Sequence, residues 1–112
     1  MKLSIAKEDG QNVDVAVTGN VTQRDVSRIS EPLVELLGPS AYGRQVRLDL
    51  SNTDYLDSSG VGWLLACHKR MRQAGGKLTL HAPHPTVANT LRVLKLENVF
   101  EIEPSTIGAA KM

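Results

Sequence analysis

Between Tyr55 and Leu65 the chain reads YLDSSGVGWLL. Asp57-Ser58-Ser59-Gly60 thus places a carboxylate, two hydroxyls and a glycine directly ahead of an apolar run. Two kinds of chemistry suit those residue types. At the start of a helix the first amides lack intrahelical partners, so Asp57 or Ser58 can serve simply as a cap. The same amides, with the positive end of the helix dipole, also stabilise an added anion, so a phosphate on Ser58 or Ser59 would be well placed. It would add about −1.5 to −2 charge beside Asp57, altering what the surface attracts while leaving the fold intact. A third chemistry, nucleophilic catalysis, lacks its supporting parts. Leu56 stands where a G-x-S-x-G elbow needs its first glycine. His68 follows Ser58 by ten residues on the same helix, roughly 15 Å away and out of reach as a base. His81 and His84 lie beyond the next strand and could approach only through the fold.

The elements that must position this turn follow from periodicity. Leu3 and Ile5, then Val13, Val15 and Val17, alternate with polar residues around Glu8-Asp9-Gly10-Gln11-Asn12, which reads as a hairpin of two antiparallel strands. Thr22 reads as a cap for a helix with Val26, Ile29, Leu33, Leu36 and Leu37 on one stripe. Pro32 forces a kink or a restart near Ser30 within it. Residues 45–50 (QVRLDL) form a strand and 58–74 a second helix stopped by Gly75-Gly76. Residues 77–80 form another strand. Pro83 and Pro85 bracket a third helix with Val87, Leu91 and Leu94, and NVFEIEP supplies a last turn or strand. This order implies an α/β fold: a mixed sheet of about four to five strands with helices packed on it, as one domain over residues 1–112. The DSSG turn falls at the carboxyl end of a strand, where such sheets place function.

Helical geometry sorts the neighbours. Counted from Val61, residues Leu64, Leu65, His68 and Met71 share one side, with Cys67 at its edge, so this stripe is expected to be buried. Cys67 then reads as a small core residue and His68 as a satisfied, partly buried histidine. Lys69, Arg70 and Gln73 read as a solvated outer face. His81 and His84 flank Ala82-Pro83 without cysteine partners, so no metal site is expected. Trp63 falls away from the stripe, on a face otherwise made of Ser59, Gly62 and Ala66. Either it is tucked partly under a loop or it is an aromatic anchor for a partner.

With 13 Lys and Arg against 12 Asp and Glu, the net charge of +1 gives no basic field for nucleic acid or an anionic membrane. The single Cys67 cannot pair within the chain, which fits a reducing compartment. No apolar leader opens the chain and no apolar run approaches ~18 residues, so a cytoplasmic domain is expected.

From Val46 to Ile102 the chain resembles the STAS domain, the family of bacterial anti-sigma factor antagonists. The matching elements are the apolar strand, the Y-L-D-S-S-G turn, the amphipathic helix closed by Gly75-Gly76, the strand, and the helix with Leu91, Leu94 and Leu96. Spacing from Gly19 onwards fits as well, so the resemblance covers essentially the whole chain. It implies a partner switch. Such proteins bind an anti-sigma factor that is also a serine kinase of the histidine-kinase-like ATPase type. The kinase phosphorylates the serine after the Asp of the turn, and a PP2C-type phosphatase reverses the step. Carried over by position, the phospho-acceptor is Ser58. Partner contact is expected from Asp57, Ser59, Gly60, Gly62, Trp63 and Thr22. Thr22 stands where many members carry an Asp in a G-x-[LVI]-D turn, here Gly19-Asn20-Val21-Thr22. No enzyme activity is expected, because the serines have no evident base or cleft, and no cofactor, because no Gly-rich phosphate loop appears; a monomer or weak dimer is expected. The alternative within the family is a non-catalytic scaffold or subunit of a larger assembly, of the stressosome or lipid-transport ABC type.

Overall fold

Alternating valines and leucines on three neighbouring strands build the floor of the molecule. The computed structural model describes residues 2–21 and 32–103. Strands β1 (Lys2–Asp9) and β2 (Asn12–Thr18) form the expected antiparallel hairpin around Gly10, whose φ of 59° lies in the left-handed region that glycine tolerates. β3 (Gln45–Asn52), β4 (Lys77–His81) and β5 (Glu101–Glu103) add in parallel, giving a five-stranded mixed sheet in the order β1-β2-β3-β4-β5. Register stacks Val13 on Val46 on Leu78, and Val15 on Leu48 on Leu80, so one sheet face is a continuous apolar layer. The opposite face carries Asp14, Arg47, His81 and Glu103, tied by an Arg47 Nε–Glu103 Oε1 ion pair of 3.0 Å and a His81 Nδ1–Glu103 Oε1 contact of 3.1 Å. Half-exposed pairs of this kind contribute at most about 1 kcal/mol each.

Helices α1 (Pro32–Leu37), α2 (Ser58–Ala74) and α3 (Pro85–Val93) connect the strands, with a short 3-10 turn at Ala41–Gly43. The fold class and the α2 boundaries agree with the sequence. Thr22, Val26 and Ile29, assigned above to the start of the first helix, lie outside the described residues. Two details differ. Leu94 is not part of the α3 stripe: the helix stops at Val93, Leu94 is half exposed, and Leu96 turns back to the core instead. Lys95 adopts φ 60°, its amide donates to Arg92 O, and the Leu96 amide donates to Leu91 O at 2.8 Å. That closing pattern carries the chain past Leu94 and sets Leu96 beside Leu91. His84 caps α3, its Nδ1 accepting from the Thr86 amide at 3.2 Å, which gives this histidine a structural post.

The Ser58 turn

The turn is held from beneath by the ends of β2 and β3, which continue side by side past the regular sheet. Gly19 N donates to Asn52 O, Val21 N to Tyr55 O, and Asp57 N to Val21 O, at 3.2, 3.1 and 3.3 Å. Val21 and Leu56 form an isolated parallel bridge. Thr53, fully buried, donates its hydroxyl to Val17 O at 3.1 Å and so ties the β3 end to the end of β2. A buried hydroxyl without such a partner would be costly, so this bond fixes where the turn can lie. Thr53 carried no sequence signal that separated it from any other loop threonine.

Asp57 is the cap. Its backbone is extended, and its Oδ1 accepts from the Gly60 amide at 2.8 Å, while Val61 N closes the first helical bond onto Asp57 O at 3.0 Å. The cap is therefore Asp57 rather than Ser58, and Ser58 becomes the first helical residue. Its side chain is exposed; Ser59 is half-buried. The amides of Ser58 and Ser59 precede Val61 N, the first intrahelical donor, so they belong to the positive end of α2 at which Ser58 stands. Asp57→Ala is expected to cost about 1 kcal/mol, read as a lower urea midpoint at constant m-value. An unchanged midpoint would show the cap to be dispensable.

Gly60 is buried for a steric reason. A Cβ built there would fall 2.4 Å from Val21 O and 3.2 Å from Val21 Cγ1, so the β2 extension can cross the helix start only over a glycine. Gly60→Ala is expected to lose about 1–3 kcal/mol by overpacking, despite the ~1 kcal/mol that alanine contributes to helix propensity. Equal or higher stability in chemical denaturation would contradict this placement. Gly60 therefore positions the turn without offering surface to a partner. Gly62, by contrast, is exposed with open space around it, as expected of a face that a partner can approach.

Trp63 requires a correction. It is only 7% exposed and belongs to the core cluster, so it is not a surface anchor. The buried side of α2 is centred on Gly60, Leu64, Cys67 and Met71, not on the Val61 line. At about 100° per residue the centre lies roughly 65° from that of the expected stripe, which brings Trp63 within about 70° of it and leaves Leu65 and His68 half-buried. Cys67, placed at the edge by the sequence, is fully buried at the centre. His68 also differs from expectation, because its buried Nδ1 has no hydrogen-bond partner among the described residues. The exposed aromatic residue at the turn is Tyr55, at 51%. Its position two residues before the cap was visible in the sequence, but exposure could not be read without the strand register. Arg70 is not simply solvated, since its guanidinium lies over the Tyr42 ring, 5.8 Å from the centroid.

Among the described residues no group of three His, Cys, Asp or Glu side chains is placed to hold a metal, and no helix is long and apolar enough to cross a membrane. Histidines 68, 81 and 84 are engaged away from the serines, on Phe100, on Glu103 and on Thr86.

The site is thus an exposed serine opening a capped helix at the carboxyl end of β3, in an α/β domain with a mixed sheet. The family model described as "Mlab, STAS domain" matches residues 5–103. The chain belongs to the STAS domain family. Among relatives, it is 23% identical to an anti-sigma-B factor antagonist of Listeria monocytogenes, over 92% of this chain and 89% of that protein. It is 22% identical to the anti-sigma-B factor antagonist of Bacillus subtilis, over 94% of both chains. Among solved structures, the anti-sigma factor antagonist SpoIIAA in its unphosphorylated form superposes with a TM-score of 0.68 at 17% identity, covering 97% of this chain and 94% of that one. The phosphorylated form of the Bacillus SpoIIAA gives 0.67 at 17% identity, over 98% and 97%.

Proposed function

We propose that this protein is an anti-sigma factor antagonist whose Ser58 turn is a phosphate-controlled docking surface. The observation that carries the reading is the placement of Ser58: an exposed hydroxyl on the first residue of α2, beside an Asp57 already committed to the cap. The unmodified turn binds an anti-sigma factor that is also a serine kinase, and so frees a sigma factor. Phosphate on Ser58 sits on the helix end, which stabilises it, and presents the partner with a second and larger negative charge next to Asp57. A PP2C-type phosphatase restores the binding form. The protein itself is a regulator in the cytoplasm rather than an enzyme. The reading is supported by the relatives named as anti-sigma-B factor antagonists, and by a fold shared with SpoIIAA, which has been solved in both unphosphorylated and phosphorylated forms.

The partner surface runs from Tyr55 through Ser58 and Ser59 to Gly62, with Asp57 and Gly60 shaping it from below. Tyr55 takes the role of aromatic anchor that Trp63 cannot fill. Tyr55→Ala is expected to weaken the complex at least about tenfold in calorimetric titration while leaving the melting temperature unchanged. Unaltered affinity would remove Tyr55 from the interface. Incubation with the cognate kinase and ATP, followed by mass spectrometry, is expected to place the label on Ser58. Label on Ser59 alone, or none, would contradict the assignment.

The description of the matching family model, Mlab rather than an antagonist, favours one second reading: a subunit of a larger assembly that docks through the same turn without phosphate. Size-exclusion of the purified chain discriminates: a large self-assembly favours the scaffold, and a monomer or dimer favours the antagonist.

A further inference from the structure

Two turns of α2 beyond Ser58, the outer face of that helix and Val99, in the segment leading into β5, border an open hollow of about 610 Å³. Its lining is Leu65, His68, Lys69, Arg72, Gln73 and Val99, with no carboxylate among them. The size lies within the ~300–1,000 Å³ of small-molecule sites. Lys69 and Arg72 are exposed, stand three residues apart on one side of the helix, and have no ion-pair partner among the described residues. At that spacing like charges repel one another. A cation in the last turn is favoured by the helix dipole, so Arg72 by itself marks nothing.

The floor and the ring add the rest. Val99 is 40% exposed and Leu65 half-buried, and both line the same hollow as the cations, giving it an apolar part. His68 is held edge-to-face on Phe100 with centroids 5.5 Å apart, and its Nδ1 is buried without a partner. His68 is one of the residues lining the hollow and brings a polar ring to it. A smaller adjoining hollow shares His68, Arg72 and Val99 and adds Lys77, with Glu101 as its one carboxylate.

We propose that this hollow binds a small organic anion, its phosphate or carboxylate head held by Lys69, Arg72 and the His68 ring, its apolar body resting on Leu65 and Val99. The site is separate from the Ser58 turn and does not depend on how that turn is used. An NMR titration with hexyl phosphate tests it, with inorganic phosphate and hexanol run in parallel. Hexyl phosphate is expected to shift the Leu65 and Val99 methyls and the His68 ring signals, and each half-molecule alone to shift them at least about tenfold more weakly in concentration. The exposed double variant Lys69→Gln, Arg72→Gln is expected to keep the spectrum of a folded protein and lose at least about tenfold in affinity. Ser58→Asp is expected to bind hexyl phosphate as the wild type does. Absent shifts in the hollow, binding undiminished in the double variant, or inorganic phosphate acting as strongly as hexyl phosphate would each overturn the proposal. Shifts of the same signals by the anti-sigma partner but not by hexyl phosphate would overturn it in favour of a protein-docking surface.

Discussion

Trp63→Ala is expected to lower stability by about 3–5 kcal/mol, the range for removing a large aromatic side chain from a core. In a domain of this size that is a fall of roughly 12–20 °C in melting temperature, and a large part of the ~5–15 kcal/mol that holds a typical domain folded. The cause is burial: Trp63 is 7% exposed and shares one cluster with Val61, Leu64, Cys67 and Met71. The variant would remain able to bind its partner at a temperature where it is folded, because no part of the proposed contact rests on the indole. Tyr55→Ala should show the opposite pattern, with stability within about 0.5 kcal/mol of the wild type and affinity lost. An intact melting temperature with abolished binding in Trp63→Ala would return Trp63 to the surface and undo the burial of this face.

Ser58→Asp is expected to weaken the complex with the anti-sigma factor by roughly ten- to a hundredfold, which corresponds to about 1.4–2.8 kcal/mol. The fold should be unharmed or slightly firmer, because a carboxylate in the first turn of α2 favours the helix dipole by about 0.3–1 kcal/mol. Asp carries less charge than a phosphate at neutral pH, so the substitution should reproduce only part of the effect of modification. Asp57 cannot readily rotate away to relieve the crowding of charge, since its Oδ1 holds the Gly60 amide. The new charge is therefore felt by the partner and not absorbed by the turn. Calorimetric titration at two salt concentrations reads this directly. The loss should shrink at high ionic strength if repulsion between exposed groups is its source. Ser58→Ala is the control, with affinity near that of the wild type.

Much of the site was legible because its parts are local. A cap at Asp57 or Ser58, the start of α2 at Ser58 and the Gly75 stop, with φ 86°, depend on residues within one or two turns of each other, and the structure assigns the cap to Asp57. The hairpin and the three apolar strands were equally plain, since alternation over Val13–Val17 and Val46–Leu50 records a face buried on one side. What escaped the sequence depends on distant chain. The rotation of α2 about its axis is set by what it packs upon, and the stripe counted from Val61 was centred about 65° away from the buried side. Gly60 was expected to touch a partner, and its buried, steric role appears only once Val21 O is seen to lie where its Cβ would be. Thr53 acquires meaning only through Val17 O, 36 positions earlier. Leu94 and Leu96 exchanged roles because the left-handed turn at Lys95 ends the helix where periodicity would continue it.

The same contrast separates the two surfaces of α2. The Ser58 turn announces itself through a short motif, whereas the hollow by Lys69 and Arg72 exists only because the segment before β5 folds back against the helix. One helix thus offers an end that favours negative charge and, two turns further on, a groove lined by cations.

The central claim is that Ser58 switches partner binding through charge on an unaltered fold. It is tested most directly by titrating the cognate anti-sigma factor with the unmodified protein and with the same protein carrying phosphoserine at position 58. The account predicts a well-defined complex with the first, and with the second a loss of at least about a hundredfold in affinity at an unchanged far-UV spectrum. Equal affinity for the two forms would contradict it.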